Sequence, residues 1–254
     1  MLVGKAPADG QRLAARACRS RRQGPGLRRH HGHGRCGVTG APSFEQLVRT
    51  RRSVRDFDPR PVPLELATRA IELATWAPNG GNRQVWHFYL VQNRTVIEKM
   101  AAAVRAKTEL MLSWPEAASL GEVGQQWLTT SDLFKRAPAC IAVTIGRYQT
   151  ITDRLAEQRV SFDLAAQEIA QSRQRAASEV QSVGAAIGYL LLALHEVGLG
   201  GCYMTGPLQA GREIETILNV PEGYRLAALV PIGYPATPLK SGTRKPVSEV
   251  MTII

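Results

Sequence analysis

The residues best suited to chemistry lie in Arg49–Arg55, RTRRSVR, with four arginines and one serine. Guanidinium groups bind phosphate through paired N–H donors, and a serine hydroxyl adds another donor. Arg51, Arg52, Ser53, Val54 and Arg55 therefore form a candidate anion cradle. The same residues also read as a solvated basic helix end favoured by the helix dipole, and the motif alone leaves both readings open. A second basic cluster, Lys240, Arg244 and Lys245 in LKSGTRKP, is by itself an ordinary turn. Together the two clusters can embrace one phosphate, provided the fold brings them to the same place.

Two loops complete the candidate set. PNGGNRQVW, Pro78–Trp86, offers amide groups at Asn82 and Gln84, and its glycines, Gly80 among them, let backbone approach a flat ligand. It reads equally as a plain turn between helix and strand. In GLGGCYMTGPL, Gly198–Leu208, the Gly-x-Gly-Gly follows a helix and precedes a strand. That order is the reverse of the dinucleotide-binding turn and excludes a Rossmann reading. HExxH, GxSxG, CxxC and the P-loop lysine motif are all missing. His87 on a strand and His195 on an apolar helix read as structural, and Cys140 and Cys202 in apolar strands as buried and inert.

Helices and strands alternate in the part that must position these residues, giving an α/β or α+β class. A capping box, Ser43-x-x-Gln46, opens a short helix over Phe44–Arg51. Pro63 suits the first turn of the next helix, which runs to about Trp76. Trp86–Gln92 alternates as a strand. Thr95-x-x-Glu98 is a second capping box, for a helix to about Lys107. Trp114–Thr130 reads as a loop with helical turns, Ala139–Gly146 as a buried strand, and Thr152–Ser178 as a polar helical excursion. Glu179–Val197 is a long helix, apolar on more than one face, as suits a core larger than one small subunit. Strands follow at Cys202–Thr205 and Leu226–Tyr234, with a helix near Gly211–Leu218 between them and a short β-prone end at Val250–Ile254.

At 254 residues the chain can bury a substantial core. Its +11 charge resembles a nucleic-acid signature, but residues 1–40 hold nine Lys/Arg and one acid, leaving only +3 for the remainder. Residues 1–42 read as a basic, disordered extension, since such a composition buries too little apolar surface to fold. His30, His31, His33 and Cys36 there are candidate metal ligands without a matching second pair. The four cysteines, Cys18, Cys36, Cys140 and Cys202, show no disulfide or zinc spacing, which fits a reducing, cytoplasmic compartment. The longest apolar stretch, Val183–Leu194, is shorter than the ~20 residues of a membrane span.

RRSVRDF, APNGGNRQVWHF, GAAIGYLLLALHEVGLGGCYMTGPL and RKPVSEV occur in the order seen in the FMN-dependent nitroreductase family, which the chain resembles over about residues 43–254. The resemblance implies a three-layer α/β/α member of the α+β class. Its central sheet is mixed but mainly antiparallel, flanked by helices, in an interlocked homodimer. It implies FMN as cofactor, NAD(P)H as electron donor, and ping-pong hydride transfer through flavin N5 to a nitroaromatic, quinone or related small acceptor, with no nucleic-acid or membrane partner. Arg51, Arg52 and Ser53 would face the phosphate and ribityl chain, with Val54 between them and Arg55 toward the N1/C2 side, where a cation stabilises reduced flavin. Arg244, with Lys245 or Lys240, would complete the phosphate site. Pro78, Asn79, Gly80 and Asn82 would reach the flavin of the partner subunit, and Tyr203, Met204, Thr205 and Gly206 would lie against the ring with a backbone N–H near N5.

There are departures from the family pattern. Val85 replaces a usual proline, and Gly80-Gly81 replaces a small polar pair. Subfamilies supply alternatives: a natural-product dehydrogenase, a dehalogenase, a flavin-converting synthase, or a flavin-binding protein without turnover. The synthases carry Asp where Ser53 stands. The dehalogenases hold a tyrosine-like substrate with a Glu/Tyr/Lys set, and residues 100–135 contain Lys107 and Glu109 but no Tyr, which disfavours that subfamily.

Overall fold

The chain leaves Ser43 into helix α1 (Phe44–Thr50) because a capping box closes there. Gln46 N–H donates to Ser43 Oγ at 3.2 Å, and Ser43 N–H donates to Gln46 Oε1 at 2.8 Å. The structure, a computed structural model, describes residues 42–254. The expectations for residues 1–41, including Cys18, Cys36 and the histidine cluster, lie outside the described residues.

Helix α2 (Leu64–Ala74) follows, with Pro63 as its N-cap, then a 3-10 turn at Gly80–Asn82 and strand β1 (Trp86–Val91). Helix α3 (Arg94–Leu112) departs from expectation at both ends. Its cap is Asn93, whose side chain accepts from Thr95 and Val96 N–H at 2.9 and 3.4 Å, while Glu98 pairs with Arg94. It runs five residues past Lys107 because Thr108 is buried, its hydroxyl donating to the Val104 carbonyl at 3.0 Å and accepting from Gln209 Nε2 at 2.6 Å. The segment expected as loop holds a ten-residue helix, α4 (Gly121–Thr130). Its Gly121 and Gly124 weaken the sequence signal, yet Gly124 is buried where a Cβ would lie 3.1 Å from Leu112.

Strand β2 (Ala139–Gly146) agrees with the sequence reading in both bounds. The polar excursion is a hairpin of two helices, α5 (Ile151–Arg159) and α6 (Leu164–Ala176), the second capped by Asp163. Then come α7 (Ser178–Glu196), β3 (Gly200–Gly201), α8 (Gly211–Ile217) and β4 (Tyr224–Gly233). β3 is two residues long and lies before the expected Cys202–Thr205. Beyond it, Met204 keeps a single antiparallel bridge to Leu229. Residues 250–254 form no strand and are exposed.

The sheet order is β1-β2-β4-β3, antiparallel throughout. The mixed character is limited to one parallel bridge, Ser53 to Gly201. Strand alternation sends Ile141, Val143 and Ile145 to one face, where α2 and α7 pack, and Cys140 and Ala142 to the other, with α3 and α8. The result is the three-layer α/β/α arrangement.

Leu164–Glu196 taken as one stretch is long and apolar enough to cross a membrane. It is divided at Ala177, whose φ is 43°, and α7 spends Val183, Ile187, Leu190 and Leu194 in the sheet core. α7 is not buried all round in a single chain. Val180 and Tyr189 are exposed, and a Cβ on Gly184 or Gly188 would meet nothing within 4 Å.

Candidate functional site

Past α1 the chain becomes an extended strap beside β3. Val54 N–H donates to the Gly201 carbonyl at 3.1 Å. Alternation buries Val54 and leaves Ser53 and Arg55 exposed. Val54 presses on Gly200 so closely that a Cβ there would lie 2.3 Å from Val54 Cγ2, so position 200 admits only glycine without movement. Val54 therefore offers backbone alone to any ligand.

The segment after β4 folds back over the strap. Ala236 N–H donates to the Asp56 carbonyl at 3.1 Å. Arg52 Nε donates to the Lys240 carbonyl at 2.9 Å, and Arg52 Nη1 to the carbonyls of Arg49 and Arg51 at 2.7 and 2.6 Å. Gly242 makes this approach possible, since a Cβ would come 3.0 Å from Arg52 Nε. The two basic clusters thus meet. Arg51, Arg52, Ser53, Arg55, Lys240 and Arg244 line one cleft of about 490 Å³. Arg51, Arg52 and Arg244 also border a cleft of about 990 Å³ against Phe44, Val48 and Tyr189. Lys245 lines neither.

Five cations line this cleft against one acid, Asp56. Among the described residues no ion pair joins Arg51, Arg52, Arg55, Lys240 or Arg244 to a carboxylate. The Arg51 guanidinium is pushed below its ordinary value by burial and then by Arg244 and Arg52. Like charges held together this way lower their energy when an anion enters. Arg52 is meanwhile fixed in place by carbonyl oxygens, so little side-chain entropy is lost on binding.

Sequence reasoning treated His195 as structural, and it is half-buried on α7, but it sits against this cluster. His195 Nε2 lies 2.8 Å from Thr50 Oγ1, whose own proton goes to the Gln46 carbonyl at 2.6 Å. The imidazole must therefore be the donor to Thr50. Burial, Arg51 and Arg52 hold His195 below the ordinary histidine range. No local signal connects Thr50 with a residue 145 positions away. Cys202 lies beneath the strap, its thiol raised by burial and drawn back by Arg55, Ser53 and Arg51. Cys140 is fully buried, its thiol pushed up to about 12.

After Cys202, Met204 commits both its N–H and its carbonyl to Leu229, at 2.9 and 3.0 Å, and its side chain to the core beside α3 and α8. Met204 thus has no free N–H, whereas the N–H groups of Tyr203, Thr205 and Gly206 meet no backbone acceptor among the described residues. Tyr203, Thr205 and Gly206 are exposed. The loop Pro78–Asn82 is preformed elsewhere: Gln84 N–H donates to Asn79 Oδ1 at 2.9 Å, and Gly80 N–H to Ser182 Oγ at 3.4 Å. Among the described residues, none of the four main clefts is lined by both this loop and the arginine strap.

The strap, the folded-back tail and the three-layer sheet define a class. The chain matches the nitroreductase family over residues 48–234, and it belongs to that family. An iodotyrosine deiodinase of Haliscomenobacter hydrossis is 31% identical over 195 residues, covering 76% of this chain and 79% of that protein. The crystal structure of a BluB-like flavoprotein from Clostridium difficile 630 superposes with a TM-score of 0.73 at 28% identity, covering 84% of this chain and 99% of that one. That of an iodotyrosine deiodinase bound to FMN and 3-iodo-L-tyrosine gives 0.58 at 25% identity, covering 84% and 97%.

Proposed function

We propose that the chain is an FMN-dependent oxidoreductase that takes a hydride from a reduced nicotinamide nucleotide and passes it to a small acceptor, a nitroaromatic, quinone or related compound. The observation that carries the reading is the cleft in which Arg51, Arg52 and Arg244 converge without a carboxylate partner. It fits a phosphate monoester: rigid guanidinium donors, the exposed Ser53 hydroxyl, and a Gly242 that keeps the approach open. Bound FMN supplies a two-electron carrier that accepts and returns a hydride at N5. In this reading Arg51, Arg52 and Arg244 hold the phosphate, Lys240 adds positive charge to the same cleft, and Lys245 stands outside it. Arg55 places positive charge at the ring end that gains electron density, and a backbone N–H of Thr205 or Gly206, neither of them engaged by a backbone acceptor, faces the ring.

The exposed face of α7, with Val180, Gly184, Gly188 and Tyr189, supports a homodimer, because a second copy would cover it beside the larger basic cleft. It would also let Pro78, Asn79, Gly80 and Asn82 reach the partner's flavin, which the strap of their own chain does not allow.

The deiodinase relatives favour a second reading, reductive dehalogenation of a tyrosine-like aromatic. Against it, Lys107 is tied to Glu213 at 2.6 Å and Glu109 to Arg105 at 2.9 Å, and Thr108 between them is buried.

The test is the absorption spectrum of the purified protein, followed by anaerobic addition of NADPH or NADH. A yellow protein bleached by either nucleotide and reoxidised by a nitroaromatic or quinone is the expected result. Reoxidation by iodotyrosine alone would transfer the assignment to the second reading. A folded, colourless protein that FMN cannot reconstitute would sink both.

A further inference from the structure

A second group of arginines lies at the far side of the Pro78–Val85 loop. We propose that the cleft of about 470 Å³ walled by Arg83, Arg147 and Arg154 is an anion-recognition site for a planar small molecule, taking its carboxylate or phosphate. Its lining includes Tyr148, Tyr224 and Gln149 and no Asp or Glu. Among the described residues, the one ion pair these guanidiniums make is Arg147 to Glu157, at 3.8 Å. Arg83 and Arg154 have no ion-pair partner among the described residues.

The neighbouring cleft, about 810 Å³ under α5 and α6, makes the contrast. Arg173 and Arg225 line it together with Asp153, Glu157 and Glu179, and pair with Asp153 and Glu179 at 2.9 and 3.8 Å; Arg147 borders both clefts. The first pair joins α5 to α6 within the hairpin, and the second joins α7 to β4. Arg83 and Arg154 of the smaller cleft are in no such pair among the described residues.

Arg83 is also presented by a constrained backbone. Asn82 and Gln84 on either side of it have φ of 51° and 48°, and Gly81 has 59°. Non-glycine residues in the left-handed region are strained and persist where the surroundings enforce them. Here Asn79 Oδ1 accepts the Gln84 N–H, and Tyr148 lies alongside, where a Cβ on Gly80 or Gly81 would come 3.5 Å from its side chain. The guanidinium of Arg83 rests over that ring, 5.7 Å from its centre. Strain, an aromatic wall and uncompensated charge converge on one cleft of small-ligand size.

The anion has two possible sources, an aromatic carboxylate acceptor or the phosphate of the nucleotide donor. Calorimetric titration of the full chain with 4-nitrobenzoate and with adenosine 2′-phosphate separates them without turnover. Binding of one probe that weakens about tenfold or more in R83Q/R154Q, with FMN content unchanged, is the expected result. Y148L, which keeps all three charges, should weaken the same probe to a lesser degree. No binding of either probe, or equal binding to wild type and a folded R83Q/R154Q, would overturn the proposal. The kinetic counterpart rests on the FMN reading: the variant should raise KM for 4-nitrobenzoate against nitrobenzene, or for NADPH against NADH. A colourless protein that still binds a probe through Arg83 and Arg154 would reject the FMN reading and keep this one.

Discussion

In the α5–α6 hairpin Arg173 lies 2.9 Å from Asp153 and Arg159 lies 2.8 Å from Asp163. In the strap, Arg52 gives its N–H groups to the carbonyls of Lys240, Arg49 and Arg51, and Arg51 and Arg244 face one another with no acid paired to either. The same residue type does two jobs. A paired arginine joins two elements, and its charge is used up there. An arginine fixed by carbonyl oxygens keeps its charge for something that arrives. What marks a binding site is therefore the absence of partners, which composition cannot report.

The largest expected effect breaks the comparison at the strap. R51Q/R244Q should weaken FMN binding by about a hundredfold or more, since each charge-assisted contact contributes about 1.5–3 kcal/mol. Flavin fluorescence titration measures this, and unchanged affinity would remove the phosphate reading. R173M should leave that affinity within about twofold while raising proteolysis of the hairpin. G200A comes next. It drives a methyl into Val54, which should cost about 1–3 kcal/mol in chemical denaturation and loosen the strap with it.

A smaller effect tests the hairpin by pH. Arg173 and the Thr150 N–H hold the Asp153 carboxyl well below the ordinary carboxylate range. A lowered carboxylate value gives stability that is present above the unfolded value near 3.9 and lost as pH falls below it. R173M should remove most of that acid sensitivity. The smallest concerns His195, whose lowered value means the unfolded chain binds the proton more readily. Apo-protein stability should therefore fall as pH drops below about 6.5. H195Q should flatten that slope, and bound FMN should oppose it by placing a phosphate beside the ring. Thermal denaturation from pH 5 to 8, with and without FMN, reads both.

Local chemistry was legible where it is self-contained. The Ser43 capping box places α1, and the apolar run of β2 places its ends, because each is decided by residues a few positions apart. Asn93 was overlooked because Thr95 and Glu98 imitate the same signal, and α4 because two glycines dilute its pattern. β3 was misplaced because two residues carry no periodicity.

For the site, the sequence supplied the residues but not their meeting. It determined by itself that arginines, a serine and glycines recur in this order, that the strands alternate, and that the basic excess lies in residues 1–40. Only the tertiary structure decided that Arg244 comes beside Arg51 nearly 200 residues away, that Met204 is spent on Leu229, and that His195 leans on Thr50. Hydrogen bonds within a turn are fixed by neighbours in the chain. Charges without partners become visible only when every other residue has been placed.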